Sequence, residues 1–271
     1  MINKNVIFSD SSVERLFKSR ISADNRYKFK IYALKYLPIL LVFALMGGLK
    51  GIIFGFIWWV LITMFCDHRV ISEFRPVINV WFGVPGSGKT SVAAWLTKKS
   101  LAAGYNVLSN VPIKGALKLE EEDLGKYDMS FDGCGAHVIY DEATINGLDN
   151  RQHKAFASSD KPKYFSLHRH MQNRVDVFSQ GYDIDKRIRD RAGSSGLFYL
   201  KRFPIPGFCF YRMIKKVMFI KKDDKQMIDG FQFRGLPRIV YTRPVWDSFD
   251  TLDMSLCPKE QKNWKEWNFE E

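Results

Sequence analysis

Gly83-Val84-Pro85-Gly86-Ser87-Gly88-Lys89-Thr90 satisfies every fixed position of the Walker A pattern G-x-x-x-x-G-K-[ST]. Its flanks constrain the fold as much as the loop does. Val77-Ile78-Asn79-Val80-Trp81-Phe82 is an apolar, β-branched run, and Thr90 to Ala103, stopped by Gly104, carries a helical pattern. A strand feeding a glycine loop and then a helix is the arrangement that phosphate chemistry requires. The glycines let successive backbone N–H groups converge on one concavity, and the helix adds its positive end. The loop therefore predicts a site for a nucleoside triphosphate, read as ATP, over Gly83, Val84, Pro85, Gly86, Ser87, Gly88, Lys89 and Thr90. Lys89 is expected at the β- and γ-phosphates, and the Thr90 hydroxyl as a ligand of Mg²⁺.

Further along, His137-Val138-Ile139-Tyr140-Asp141-Glu142 reads as a buried strand ending in two carboxylates, the Walker B form. Asp141 is expected to hold Mg²⁺ through water, and Glu142 to polarise the attacking water. The adjacent glutamate favours a hydrolysing ATPase over a slow GTPase switch. Tyr105 to Pro112 reads as a short strand stopped by proline, and Glu120-Glu121-Glu122-Asp123 as a solvated helix face. Val175 to Gln180 is another apolar strand with a polar end. In ATPases of this layout such a strand lies between the Walker A and Walker B strands, which makes Gln180 a catalytic candidate beside the γ-phosphate or else a strand-end cap. Arg187, Arg189 and Arg191 are candidates for an arginine finger reaching a neighbouring subunit, or form a solvated helix face. His168 and His170 flank Arg169, but no third ligand is spaced to complete a metal site.

Residues Ile31 to Cys66 are almost entirely apolar, interrupted by Lys35 and Lys50. One helix of that length would run about 50 Å against a hydrocarbon core of about 30 Å. The Gly47-Gly48-Leu49-Lys50-Gly51 cluster instead divides it into two segments, expected as a transmembrane hairpin over 31–66, with a single span or a buried apolar hairpin of a soluble fold as the alternatives. Basic residues flank both ends, so both are expected on the cytoplasmic side of an inner membrane. The net charge of +12 likewise points to an anionic partner, nucleic acid or lipid. Cys66, Cys134, Cys209 and Cys257 form no C-x-x-C pair and read as reduced thiols. Leu197 to Lys222 alternates enough to extend the sheet or add a hairpin, with Pro204-Ile205-Pro206-Gly207 as the turn.

With these motifs assembled, the chain resembles the zonula occludens toxin (Zot) family, which includes the assembly ATPases of filamentous phages. The pieces that carry the likeness are the Walker A loop, Ser109-Asn110-Val111-Pro112, Tyr140-Asp141-Glu142-Ala143, His168-Arg169-His170, Val175 to Gln180, Ile184-Asp185 and Ile188-Arg189. The resemblance implies an α/β, RecA-like P-loop NTPase core with a mainly parallel sheet, and an inner-membrane ATPase that drives export of single-stranded DNA phage. Phage coat or assembly proteins, single-stranded DNA and a homo-oligomeric ring are the partners it implies, and Arg189 is the arginine that matches the family pattern. One departure is that family members place the ATPase first and the membrane segment after it. The expected organisation is a basic cytoplasmic arm over 1–30, the hairpin over 31–66, the ATPase core over 76–222 and a C-terminal extension over 223–271. A DNA translocase or packaging ATPase of the plasmid-transfer type is the alternative function. A non-enzymatic membrane scaffold is a third, against which Glu142 argues.

Overall fold

The computed structural model describes residues 29–249, apart from short stretches of which 66–75, 130–134, 144–147, 149–156 and 221–226 are the longest. Most of the basic arm, and the chain from residue 250 onward, lie outside the described residues. In chain order the elements are α1 (Gly48–Phe65), β1 (Ile78–Phe82), α2 (Lys89–Ala102), β2 (Val107–Ser109), β3 (Leu117–Lys118), β4 (His137–Tyr140), α3 (Lys161–Leu167), β5 (Arg174–Ser179), α4 (Lys186–Ala192), β6 (Leu197–Arg202), β7 (Phe208–Ile220) and β8 (Met227–Tyr241). Turns of 3₁₀ helix lie at Glu121–Asp123 and Arg243–Ser248. The first of these is all that the acidic stretch forms, a single turn closed by Glu120 N–H donating to Asp123 Oδ2 at 2.9 Å.

The strands build one sheet in the order β3-β2-β4-β5-β1-β6-β7-β8. Pairing is parallel from β3 to β6 and antiparallel between β6, β7 and β8. β1, β4 and β5 are buried along their whole length. That burial explains why each reads as a continuous apolar run, since helices cover a parallel sheet on both faces. On one face, Val80, Val138 and Val177 pack with Tyr164 and Phe165 of α3 and Ile188 of α4. On the other, Trp81, Ile139 and Phe178 pack with Val92, Ala93 and Leu96 of α2. β5 lies between the strands that carry the two Walker motifs, where the sequence places it.

A buried polar network ties the middle of the sheet together. Asp176 Oδ1 accepts from Asn79 Nδ2 at 2.9 Å and from Trp81 Nε1 at 2.7 Å. Its Oδ2 lies 2.6 Å from both Arg174 Nε and His137 Nε2, and His137 Nδ1 lies 2.6 Å from Ser100 Oγ of α2. Burial alone would raise the Asp176 carboxyl, but the Arg174 guanidinium and His137 outweigh it and hold the group well below the usual carboxylate range. Burial pushes His137 below its ordinary value, against the pull of Asp176. His137 is thus neutral, and its neighbours assign Nε2–H as donor to Asp176 and Nδ1 as acceptor from Ser100.

Two expectations change. The transmembrane hairpin over 31–66 is not supported as a span, because among the described residues no helix is long and apolar enough to cross a membrane. Gly48, at φ 56°, breaks the apolar run and leaves α1 with 18 residues and Lys50 in its first turn. The helical backbone described between residues 29 and 42 does lie against α1. Trp58 Nε1 donates to Leu34 O at 3.0 Å, and a Cβ on Gly55 would stand 3.1 Å from Ile39 Cγ2. The second change concerns the boundary at residue 222. β7 and β8 pair from Phe208–Tyr241 to Ile220–Met227, so the sheet continues through it. Residue 222 itself lies outside the described residues, and the antiparallel ladder joins β8 to the same sheet as the core.

Candidate active site

β1 delivers the glycine loop at the carboxyl edge of the sheet, where Gly83 N–H donates to Ser179 O of β5 at 3.0 Å. Ser87 N–H closes the loop on Val84 O at 3.0 Å. Gly88 has φ 91°, and a Cβ there would stand 2.4 Å from Cys209 Sγ of β7. A Cβ at Gly83 would stand 2.3 Å from Ser87 Oγ, so the loop's compactness depends on both glycines. Lys89 is buried, and its Nζ donates to Gly83 O at 3.1 Å, which folds the ammonium back into the loop. Ser87 Oγ is buried with no hydrogen-bond partner and lies within the loop.

The Walker B carboxylates meet this loop across β5. Thr90 Oγ1 donates to Asp141 Oδ2 at 2.9 Å. Asp141 is buried, and burial raises its carboxyl above the ordinary value, opposed by hydrogen bonds from Glu142 N–H and Thr90. Asn110, just past β2, grips the Asp141 backbone from both sides. Its Nδ2 donates to Asp141 O at 2.8 Å and its Oδ1 accepts from Asp141 N–H at 2.7 Å. The sequence marked Asn110 only as part of a shared Ser-Asn-Val-Pro piece and assigned it no role.

Glu142 adopts φ 51°, the left-handed region that a non-glycine residue enters at a cost of about 1–3 kcal/mol. Gln180 Nε2 donates to Glu142 Oε2 at 2.8 Å, so the polar end of β5 holds this carboxylate. Arg189 faces inward on α4. It is buried, and its guanidinium carbon lies 4.3 Å from the centre of the Tyr182 ring of its own chain. The exposed arginines of α4 are Arg187 and Arg191, the latter donating to Ser166 Oγ at 2.6 Å. His168 is buried and its Nδ1 lies 2.8 Å from Phe165 O, while burial lowers its pKa. Among the described residues, no group of three or more His, Cys, Asp or Glu could hold a metal. A Mg²⁺ here would rely on Thr90 and Asp141 together with phosphate and water, and that pair of oxygen donors suits the ion.

A cavity of about 340 Å³ opens beside the loop, lined by Gly86, Gly88, Arg202, Phe208, Cys209 and Trp246 among others. Its size and its aromatic and cationic lining suit the base and ribose of a nucleotide whose phosphates lie in the loop.

Strand, glycine loop, helix and a carboxylate-bearing strand one place removed in a mainly parallel sheet define a P-loop nucleotide-binding core. Solved structures similar to this chain include the N-terminal domain of zonular occludens toxin from Neisseria meningitidis, at 19% identity over 64% of this chain and 98% of that one, with a TM-score of 0.39. They also include the genome packaging NTPase B204 from Sulfolobus turreted icosahedral virus 2 in complex with ATP-gammaS, at 12% identity over 57% of this chain and 96% of that one, with a TM-score of 0.35. No family model and no curated protein sequence matches the chain.

Proposed function

We propose that this protein is a membrane-anchored ATPase that drives assembly and export of filamentous single-stranded DNA phage. The observation that carries the hydrolytic part is the joining of Thr90 to Asp141 and of Gln180 to Glu142 around one loop. In this reading Lys89 turns from Gly83 O to the β- and γ-phosphate oxygens, and the loop N–H groups hold the β-phosphate. Thr90 and Asp141 would hold a Mg²⁺, which would supply charge neutralisation. Glu142, oriented by Gln180, accepts a hydrogen bond from the attacking water and takes its proton as the water adds to the γ-phosphorus.

Membrane attachment is supported by the large apolar side chains that the first helices expose. Leu37, Leu40, Leu49 and Phe56 are 65%, 68%, 73% and 65% exposed. Large apolar side chains exposed on helices that are apolar all round suit lipid rather than water. The role in phage export rests on the motif resemblance to the Zot family.

Two variants test the enzyme. Lys89→Ala should abolish binding of a fluorescent ATP analogue. Glu142→Gln should bind it as wild type does while phosphate release falls by a factor of about 10²–10⁴, the usual worth of a positioned base. Wild-type turnover by Glu142→Gln would remove Glu142 from its role.

A further inference from the structure

We propose that the ribbon formed by β7 and β8 carries a binding surface for single-stranded nucleic acid, on which bases stack against Phe231 and Phe233 while Arg212 takes a phosphate. Phe231 and Phe233 alternate along β8 and so share one face of the ribbon. They are 40% and 44% exposed even with α1 packed on the same strand. Tyr199 of β6 backs them, its ring centre 6.2 Å from that of Phe231 and 5.7 Å from that of Phe233. The Arg212 guanidinium carbon lies 5.2 Å from the centre of the Phe233 ring, and its Nε is fixed on Gly235 O at 2.8 Å. A register shift between Tyr211 and Met213 marks the start of this region of the ribbon. Such irregularities re-aim side chains.

Exposed rings interleaved with a tethered guanidinium form a stacking platform inside a cationic field. That combination fits a strand whose bases are open to stack, since a duplex hides their faces. The chain's net charge of +12 adds a general attraction for phosphates.

The surface is also packed onto the nucleotide site. Tyr182 follows Gln180 by two positions, and its ring centre lies 5.9 Å from that of Phe231 and 4.9 Å from that of Phe82, the residue before the glycine loop. Phe231 thus packs on a side chain that also packs on Phe82, next to the glycine loop, and that lies two residues from Gln180 in the chain. The proposal draws on the ATPase reading only for what such binding would serve.

The test is fluorescence anisotropy of a labelled oligodeoxythymidine on the full-length protein, comparing wild type with Phe231→Ala/Phe233→Ala and Phe231→Tyr/Phe233→Tyr. The alanine pair should weaken binding by at least tenfold, given about 1–3 kcal/mol per stacked base, and the tyrosine pair should bind as wild type does. Arg212→Ala should reduce the slope of log affinity against log salt by about one contact. Equal binding by the alanine pair and wild type overturns the proposal, as does a preference for duplex. So does an alanine pair that loses self-association or anionic-vesicle binding while holding the oligonucleotide unchanged. Binding of the ATP analogue, measured beside it, separates the two readings. A protein that binds nucleotide yet shows no ring-dependent oligonucleotide binding removes the surface alone. One that fails to bind nucleotide but keeps that binding removes the ATPase alone.

Discussion

Gly88 shows how one residue couples the loop to the antiparallel end of the sheet. Any side chain there meets two independent penalties, the positive φ of 91° and the Cys209 sulfur at 2.4 Å. Gly88→Ala should therefore destabilise the fold by about 1–3 kcal/mol and cripple nucleotide binding. Adding Cys209→Ala removes the clash but not the backbone strain, so the double variant should recover only part of the melting temperature. Full recovery would show that sterics alone require the glycine. Asn110 acts differently, since it touches the Asp141 backbone and not the phosphates. Asn110→Ala should lower turnover more than it weakens nucleotide binding, because Asp141 loses its fixed position while the loop stays intact. Equal losses in both measurements would make Asn110 part of the loop's own support.

At the scale of elements, the Asp176 network joins β1, β4, β5 and α2 through one buried carboxylate. Asp176→Asn removes the charge that Arg174 and His137 depend on, and breaking a buried ion pair from one side costs about 3–5 kcal/mol. The sign of the pH dependence follows from the two shifts. Both His137 and Asp176 have folded pKa values below their unfolded ones. Each therefore contributes stability that is present above its unfolded pKa and lost as pH falls. For His137 the loss begins near pH 6.5, and for Asp176 it adds below about pH 4. Asp141, whose pKa is raised, acts in the opposite sense and gains on acidification, so it cannot cause this loss. Thermal melting followed from pH 8 to pH 4 should show an early decline that Ser100→Ala, which removes the hydroxyl partner of neutral His137, makes smaller. A melting temperature flat across that range would mean that His137 does not bury a neutral ring.

For the whole molecule, the apolar helices and the arginines of α4 set the expected assembly. Leu40→Glu/Phe56→Glu places charge on the two exposed helical segments and should move the protein from the membrane fraction to the soluble one. Retention in the membrane would place the anchor elsewhere in the chain. The homo-oligomeric ring that the resemblance implies would need a cation supplied in trans, and with Arg189 buried the exposed candidates on α4 are Arg187 and Arg191. A mixture of Lys89→Ala with Arg187→Ala/Arg191→Ala, each inactive alone, should regain hydrolysis. A mixture of Lys89→Ala with Arg189→Ala should not, because Arg189 supports Tyr182 within its own subunit. Rescue by Arg189→Ala instead would reverse this assignment.

Lys89, Thr90, Asp141, Glu142 and Gln180 could be named before any fold was known, because local rules govern them. A glycine loop must sit between a strand and a helix, and buried parallel strands read as apolar runs that end in polar residues at the carboxyl edge. The place of β5 between the two Walker strands, and with it the role of Gln180, came instead from the layout of such ATPases. Asn110, the Asp176 network, the inward turn of Arg189 and the aromatic face of the ribbon are not local. Each joins residues from separate strands, such as Asn79, His137 and Asp176, whose meeting depends on register. The positive φ of Gly48 at the start of α1, and the ladder between Phe208 and Tyr241 that joins β8 to the core sheet, are likewise not local readings. Periodicity records which face of a segment is buried, but only the packed sheet determines what that face meets.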